Sequence, residues 1–189
     1  MRRCCELNAA AMQTGIGLMY FMKKISSEEN EMGSTLNSFR NKFEEFKTLP
    51  AGQSFTIKVT DQEATAAACE YLAENKASVG QKIKKRTGLS LDIDNPTVTF
   101  RNDEIGVSAS GGKGFLKAKA SLTAEVRWAG KPIVIVRSVE VPFISVSPEK
   151  LNSVVERPLE SVMHIVEEYA EICSFKLTDG AATLEAVRK

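Results

Sequence analysis

The sequence predicts an α+β domain, a curved antiparallel β-meander wrapped on two main helices, with an N-terminal helical appendage. Three patterns carry this prediction. From Leu116 to Trp128 apolar and polar residues alternate without a break. Leu116, Ala118, Ala120, Leu122, Ala124, Val126 and Trp128 therefore share one face of a strand, and Lys117, Lys119, Ser121, Thr123, Glu125 and Arg127 share the other. Thr60-Asp61-Gln62-Glu63 is a capping box that starts a helix whose apolar face is Ala64, Ala67, Ala68, Tyr71 and Leu72. Leu151, Val154, Val155, Leu159, Val162, Met163, Val166 and Tyr169 recur at three- and four-residue intervals and form the broad stripe of a second helix. A strand that is dry on one side needs a cover, and this second helix is expected to supply it.

In chain order, residues 1–50 read as a helical segment and residues 51–189 as the binding domain. Residues 7–22 carry no charge, but Asn8, Gln13 and Thr14 dilute them and Gly15 and Gly17 weaken a helix. As a helix they would span roughly 24 Å against a hydrocarbon core of roughly 30 Å, a marginal membrane span. Arg2 and Arg3 precede this stretch and Lys23 and Lys24 follow it, so charge does not orient it; no cleavage site is evident, and Cys4-Cys5 beside it are free thiols or palmitoylation sites. Leu18, Met22, Ile25, Met32, Leu36, Phe39, Phe43 and Phe46 then repeat at four-three spacing, with Glu29 at the expected seam position. That stripe reads as an amphipathic helix lying on its own domain, or as a coiled-coil or membrane-proximal stalk. Leu49-Pro50-Ala51-Gly52 stops it.

Residues 55–59 read as a short strand leading into the capped helix. Small residues on that helix face allow a close approach to a sheet or leave volume for something else. The helix runs on through Lys82, Lys84, Lys85 and Arg86 to Gly88; these basic residues are either a solvated face or a site for an anion or lipid headgroup. Asn95-Pro96 is expected to turn the chain into a strand at 97–101, and Asn102-Asp103 into another at 104–110. Gly111-Gly112-Lys113-Gly114 lacks the spacing of a phosphate loop and reads as a flexible turn. Ala129-Gly130 joins the alternating strand to the apolar run at 133–141. Ser147 caps the second helix, Pro148 occupies its first turn, and Pro158 bends it. Phe175 and Leu177 alternate in a strand, and Asp179-Gly180 turns into a closing hairpin.

Composition narrows the function classes. Lys plus Arg number 25 and Asp plus Glu 24, a net charge of +1, so no global field draws the chain to nucleic acid. The 4 cysteines, at 4, 5, 69 and 173, have no zinc or disulfide spacing, and Cys69 and Cys173 read as buried thiols unless the fold pairs them. The 1 histidine, His164, has Glu167 and Glu168 on its helix face, a spacing for half a metal site or, more simply, a solvated face. No nucleophile, zinc-protease or paired-carboxylate motif is present, so neither catalysis, nor a metal, nor a cofactor is expected.

Taken together, the strand and capped helix at 56–63, the strand pair at 95–105, the alternating hairpin, the Ser-Pro-started helix and the closing turn Thr178-Asp179-Gly180 resemble the YpmS-like and LmeA-like bacterial envelope proteins. The likeness covers residues 55–189 and rests on order and pattern. That group is similar to the tubular lipid-binding (TULIP) class, in which a strongly curved antiparallel sheet wraps a long helix around an apolar groove. The resemblance implies a membrane-associated, cell-envelope protein that binds lipid.

The expected function is therefore non-catalytic binding of a lipid or other apolar ligand in a groove between sheet and helix. The expected lining is Tyr71, Leu72, Leu116, Leu122, Val126, Trp128, Val155, Leu159, Val162 and Met163, residues that an ordinary filled core would equally require. The alternative is an interaction or assembly module that self-associates through residues 18–46, with the sheet domain as scaffold. Partners are then a lipid or apolar small molecule, a membrane surface, or a second copy of the chain.

Overall fold

A computed structural model describes residues 34–87, 92–113, 116–140, 152, 163–164 and 166–189. Helix α1 is Ser34–Thr48 and α2 is Asp61–Thr87. The strands are β1 (Ser54–Thr60), β2 (Asp92–Arg101), β3 (Glu104–Lys113), β4 (Leu116–Trp128), β5 (Pro132–Glu140), β6 (Ala170–Thr178) and β7 (Ala181–Arg188). Asn152, Met163, His164 and residues 166–169 are also helical. The α+β class with antiparallel pairing throughout is as the sequence predicts. The strands divide between a four-stranded meander, β2-β3-β4-β5, and a three-stranded sheet, β1-β7-β6, in which β1 joins the closing hairpin. The apolar stretch at 7–22, Cys4-Cys5, the Ser147-Pro148 helix start and the bend at Pro158 lie outside the described residues.

The capping box forms as read. Thr60 Oγ1 accepts from the Glu63 N–H at 3.2 Å while Glu63 Oε2 accepts from the Thr60 N–H at 2.9 Å. That backbone bond, aided by Lys42, holds the Glu63 carboxyl below its ordinary range.

From this cap α2 runs along the outer edge of β2 and closes it. Asp61 Oδ1 accepts from the Phe100 N–H at 2.6 Å. Thr65 Oγ1 accepts from the Val98 N–H at 2.9 Å and donates to the Val98 carbonyl at 3.1 Å, and Cys69 Sγ lies 3.8 Å from the Pro96 carbonyl. Further along, Lys76 Nζ lies 3.3 Å from Asp94 Oδ1. Four helical residues rise about 6 Å and two strand residues about 6.6–6.8 Å, so one helix stripe stays in step with alternate residues of one strand edge. An edge strand left open is a template for unwanted pairing; here side chains of α2 satisfy it.

This arrangement makes α2 a cover of the meander's dry face. Ala64 and Ala68 of α2 pack in one cluster with Val98, Phe100, Leu122, Ala124, Val126, Val134 and Val136, joined by Leu177 and Ala182 of the other sheet. The small residues thus serve close approach. Of the second helix, Met163 and Val166 pack with Phe46, Ala67, Leu184 and Ala186 against the three-stranded sheet, while Asn152 Oδ1 accepts from the Val136 N–H of β5 in the meander at 2.8 Å; residues 153–162 lie outside the described residues. Phe46 of α1 is buried there with its ring 3.9 Å from that of Phe55. The Arg188 guanidinium lies 5.7 Å from the ring centres of both Phe46 and Tyr169.

Two expected turns are strand. Gly111 and Gly112 pair with Ile93 and Asp92 on one side and with Ala118 and Lys117 on the other. Asn95-Pro96 is a bulge inside β2, with Asn95 at φ 52°. Its extra residue shifts parity, so that Ile93 and Val98 share the dry face. Arg137 does the same for Val136 and Val139 in β5, and Cys173 for Ile172 and Phe175 in β6. Cys173 is therefore exposed, as is Cys69, and neither is the buried thiol expected from sequence.

Candidate functional site

The dry face of the meander is where a groove was expected, and its two parts differ. In the middle of β4, Leu122, Ala124 and Val126 are buried beneath α2. Toward either end of the same face, Ala118, Ala120 and Trp128 are only half-buried. Beside the first end, Ala109 pairs with Ala120 and Gly111 with Ala118, so that the surface there consists of small side chains on two adjacent strands. Tyr71 and Leu72 of α2 pack nearby with Ile93 and Ala109 in a small cluster of their own.

The expected lining residues are thus distributed over three cores. Leu122 and Val126 belong to the cluster under Ala64 and Ala68, Tyr71 and Leu72 to the cluster with Ile93, and Met163 to the cluster on the three-stranded sheet. Trp128 closes β4 at a hairpin tip. Leu116 pairs with Lys113 at the start of β4, its side chain outside the description, and Val155, Leu159 and Val162 lie outside the described residues. Lys82, Lys84, Lys85 and Arg86 fall on the last turns of α2, with their side chains likewise undescribed.

Sequence reasoning missed a second feature on the opposite, polar face. A depression of about 230 Å³ is lined by Thr97, Thr99, Arg101, Glu104, Gly106, Val107, Ser108, Ser121, Leu122 and Thr123. In register, Thr97, Ser108 and Ser121 form one row across the strands, and Thr99, Gly106 and Thr123 the next. Gly106 makes the notch: a Cβ there would meet Thr99 Oγ1 at 2.5 Å. The depression offers hydroxyl donors and acceptors and no aromatic platform, a hydrogen-bonding surface with chemistry opposite to that of the dry face. The polar alternation of β4 was a signal for the face; the glycine opposite Thr99 and Thr123 emerges only from the register.

On the polar face of the meander two guanidinium groups share one carboxylate. Glu125 accepts from Arg127 and Arg137, and these bonds hold its carboxyl below the ordinary range. His164 is exposed, with Nδ1 3.9 Å from Glu167 Oε2. Among the described residues no group of His, Cys, Asp and Glu is arranged to hold a metal ion, and no helix is long and apolar enough to cross a membrane. No protein-family model matches the chain, and no curated protein matches it.

Proposed function

We propose that the protein is a non-catalytic binding module for an apolar chain of the fatty-acyl type, held on the small-residue end of the dry face. One observation carries this reading: the face continues past its cover, leaving Ala118 and Ala120 half-buried where their strand neighbours Leu122 and Ala124 are buried. A slim aliphatic ligand fits a surface of alanine and glycine and gains about 0.8 kcal/mol per buried CH₂ without specific polar partners. Tyr71 and Leu72, packed between α2 and β3, would flank it. Membrane association and an envelope location accord with such a ligand and with the resemblance of residues 55–189, and belong to the same proposal.

A native mass spectrum of the purified full chain, followed by organic extraction, tests the reading. The expected result is a bound species of lipid mass that extraction removes. A ligand-free spectrum that stays so after incubation with oleate or phospholipid would instead leave the sheet domain as a scaffold and return the function to the interaction module.

A further inference from the structure

The β4–β5 hairpin ends in a tip with an indole on its dry side and basic side chains on its polar side. Trp128, the 1 tryptophan of the chain, is the largest apolar side chain available to a core, yet it closes β4 half-buried at this tip. Ala129, Gly130 and Lys131 beyond it are exposed; Gly130 takes φ 76°, and the Ala129 N–H donates to the Lys131 carbonyl at 3.0 Å, fixing the turn. Immediately behind, Arg127 and Arg137 converge on Glu125 while their side chains remain 59% and 49% exposed. Half-buried Ile133 and Ile135 stand opposite Arg127 and Glu125 in register. Arg127, Lys131 and Arg137 against Glu125 leave +2 on this tip, more than the +1 of the whole chain. Glu104 stands between Arg101 and Glu125 in register, and the Asp103 carbonyl accepts from the Val126 N–H at 2.7 Å.

A hairpin end with an indole on one face, basic side chains on the other and an exposed lysine in its turn suits a membrane–water interface. The ring sits at headgroup depth while the cations meet acidic lipids. A protruding turn needs a cleft in a protein partner, whereas a fluid surface accommodates it without one. We infer that the β4–β5 tip docks the protein on an anionic lipid surface, with Trp128 in the headgroup layer and Arg127, Lys131 and Arg137 against the acidic headgroups. Docking of this kind deepens the membrane association of the proposed function and rests on that part of it; it needs no occupant on Ala118 and Ala120, so vesicle binding and uptake of an apolar ligand can fail separately.

Because the chain has a single tryptophan, its emission reports this tip alone. The full chain is titrated with phosphatidylcholine vesicles and with vesicles containing ~30 mol% phosphatidylserine, and both co-sedimentation and emission are read. A blue shift is expected with the anionic vesicles only, and raised salt should reverse it. Lys131→Gln, at an exposed turn where folding is not at stake, should weaken binding roughly fivefold, and Arg127→Gln with Lys131→Gln by more. Absence of binding to the anionic vesicles overturns the inference. So does binding with unchanged emission, which would put the contact elsewhere, for instance at Lys82 to Arg86. Recovery of an acidic protein on this tip, with no response to vesicles, would contradict it as well.

Discussion

The middle of β4 and its ends carry the same alternation of apolar and polar residues, yet they have different neighbours. Leu122, Ala124 and Val126 are closed over by α2; Ala118, Ala120 and Trp128 are not closed to the same degree. The difference lies in where a helix can be stapled. Asp61, Thr65 and Cys69 tie α2 to the edge of β2 over Phe100, Val98 and Pro96 and bring Ala64 and Ala68 over the middle of β4, while Tyr71 and Leu72 further along pack with Ile93 of β2 and Ala109 of β3. Amphipathic patterning decides which face avoids water; hydrogen bonds to a strand edge decide what covers it.

The closed middle is the part most easily broken. Ala124 is 0% exposed, so Ala124→Asp would place a charge in a core with no partner, at a cost of several kcal/mol against a total stability of about 5–15. Circular dichroism should show an unfolded chain at room temperature. A folded variant with the wild-type melting temperature would mean that the middle of β4 is no more closed than its ends.

Removing the staple tests the cause of the difference. Thr65→Val keeps the shape of the side chain but strips Val98 of the hydroxyl that serves both its N–H and its carbonyl. A loss of about 2 kcal/mol in urea unfolding is expected, since a buried backbone group left unpaired costs about 1–3. A change under about 0.5 kcal/mol, within the range of ordinary surface substitutions, would show that the edge ladder does not hold the cover.

Legibility in the sequence followed the same physical divisions. The bounds of β4 and the Thr60–Glu63 cap could be read because both are local: β4 carries none of the extra residues, and a capping box is complete within four positions. Strands that contain a bulge lost their alternation. Asn95-Pro96 looked like a turn because an extra residue and a missing N–H break the period, although the carbonyl of Pro96 faces α2 and the strand continues to Asp92. Nor was the three-stranded sheet readable, since Ser54 pairs with Val187 across most of the chain.

The share of the cover that falls to α2 was hard to read for a related reason. The stripe at 151–169 is broader and more apolar than the alanine face of α2, and burial alone favours it. What the stripe could not convey is that alanine lets Thr65 come within 2.9 Å of the Val98 backbone. Of the expected site, the dry face was legible as a face; its division among three cores depends on which element packs where.

The half-buried end of the dry face carries the functional claim, and filling it tests that claim with the smallest effect on stability. A fluorescent fatty acid is titrated into the wild type and into Ala120→Trp, with thermal unfolding measured alongside. The account predicts saturable uptake by the wild type and a loss of about tenfold or more in the variant, equivalent to about two buried CH₂ groups, with melting temperatures nearly equal. Equal uptake by both proteins, or no uptake by the wild type, would contradict it.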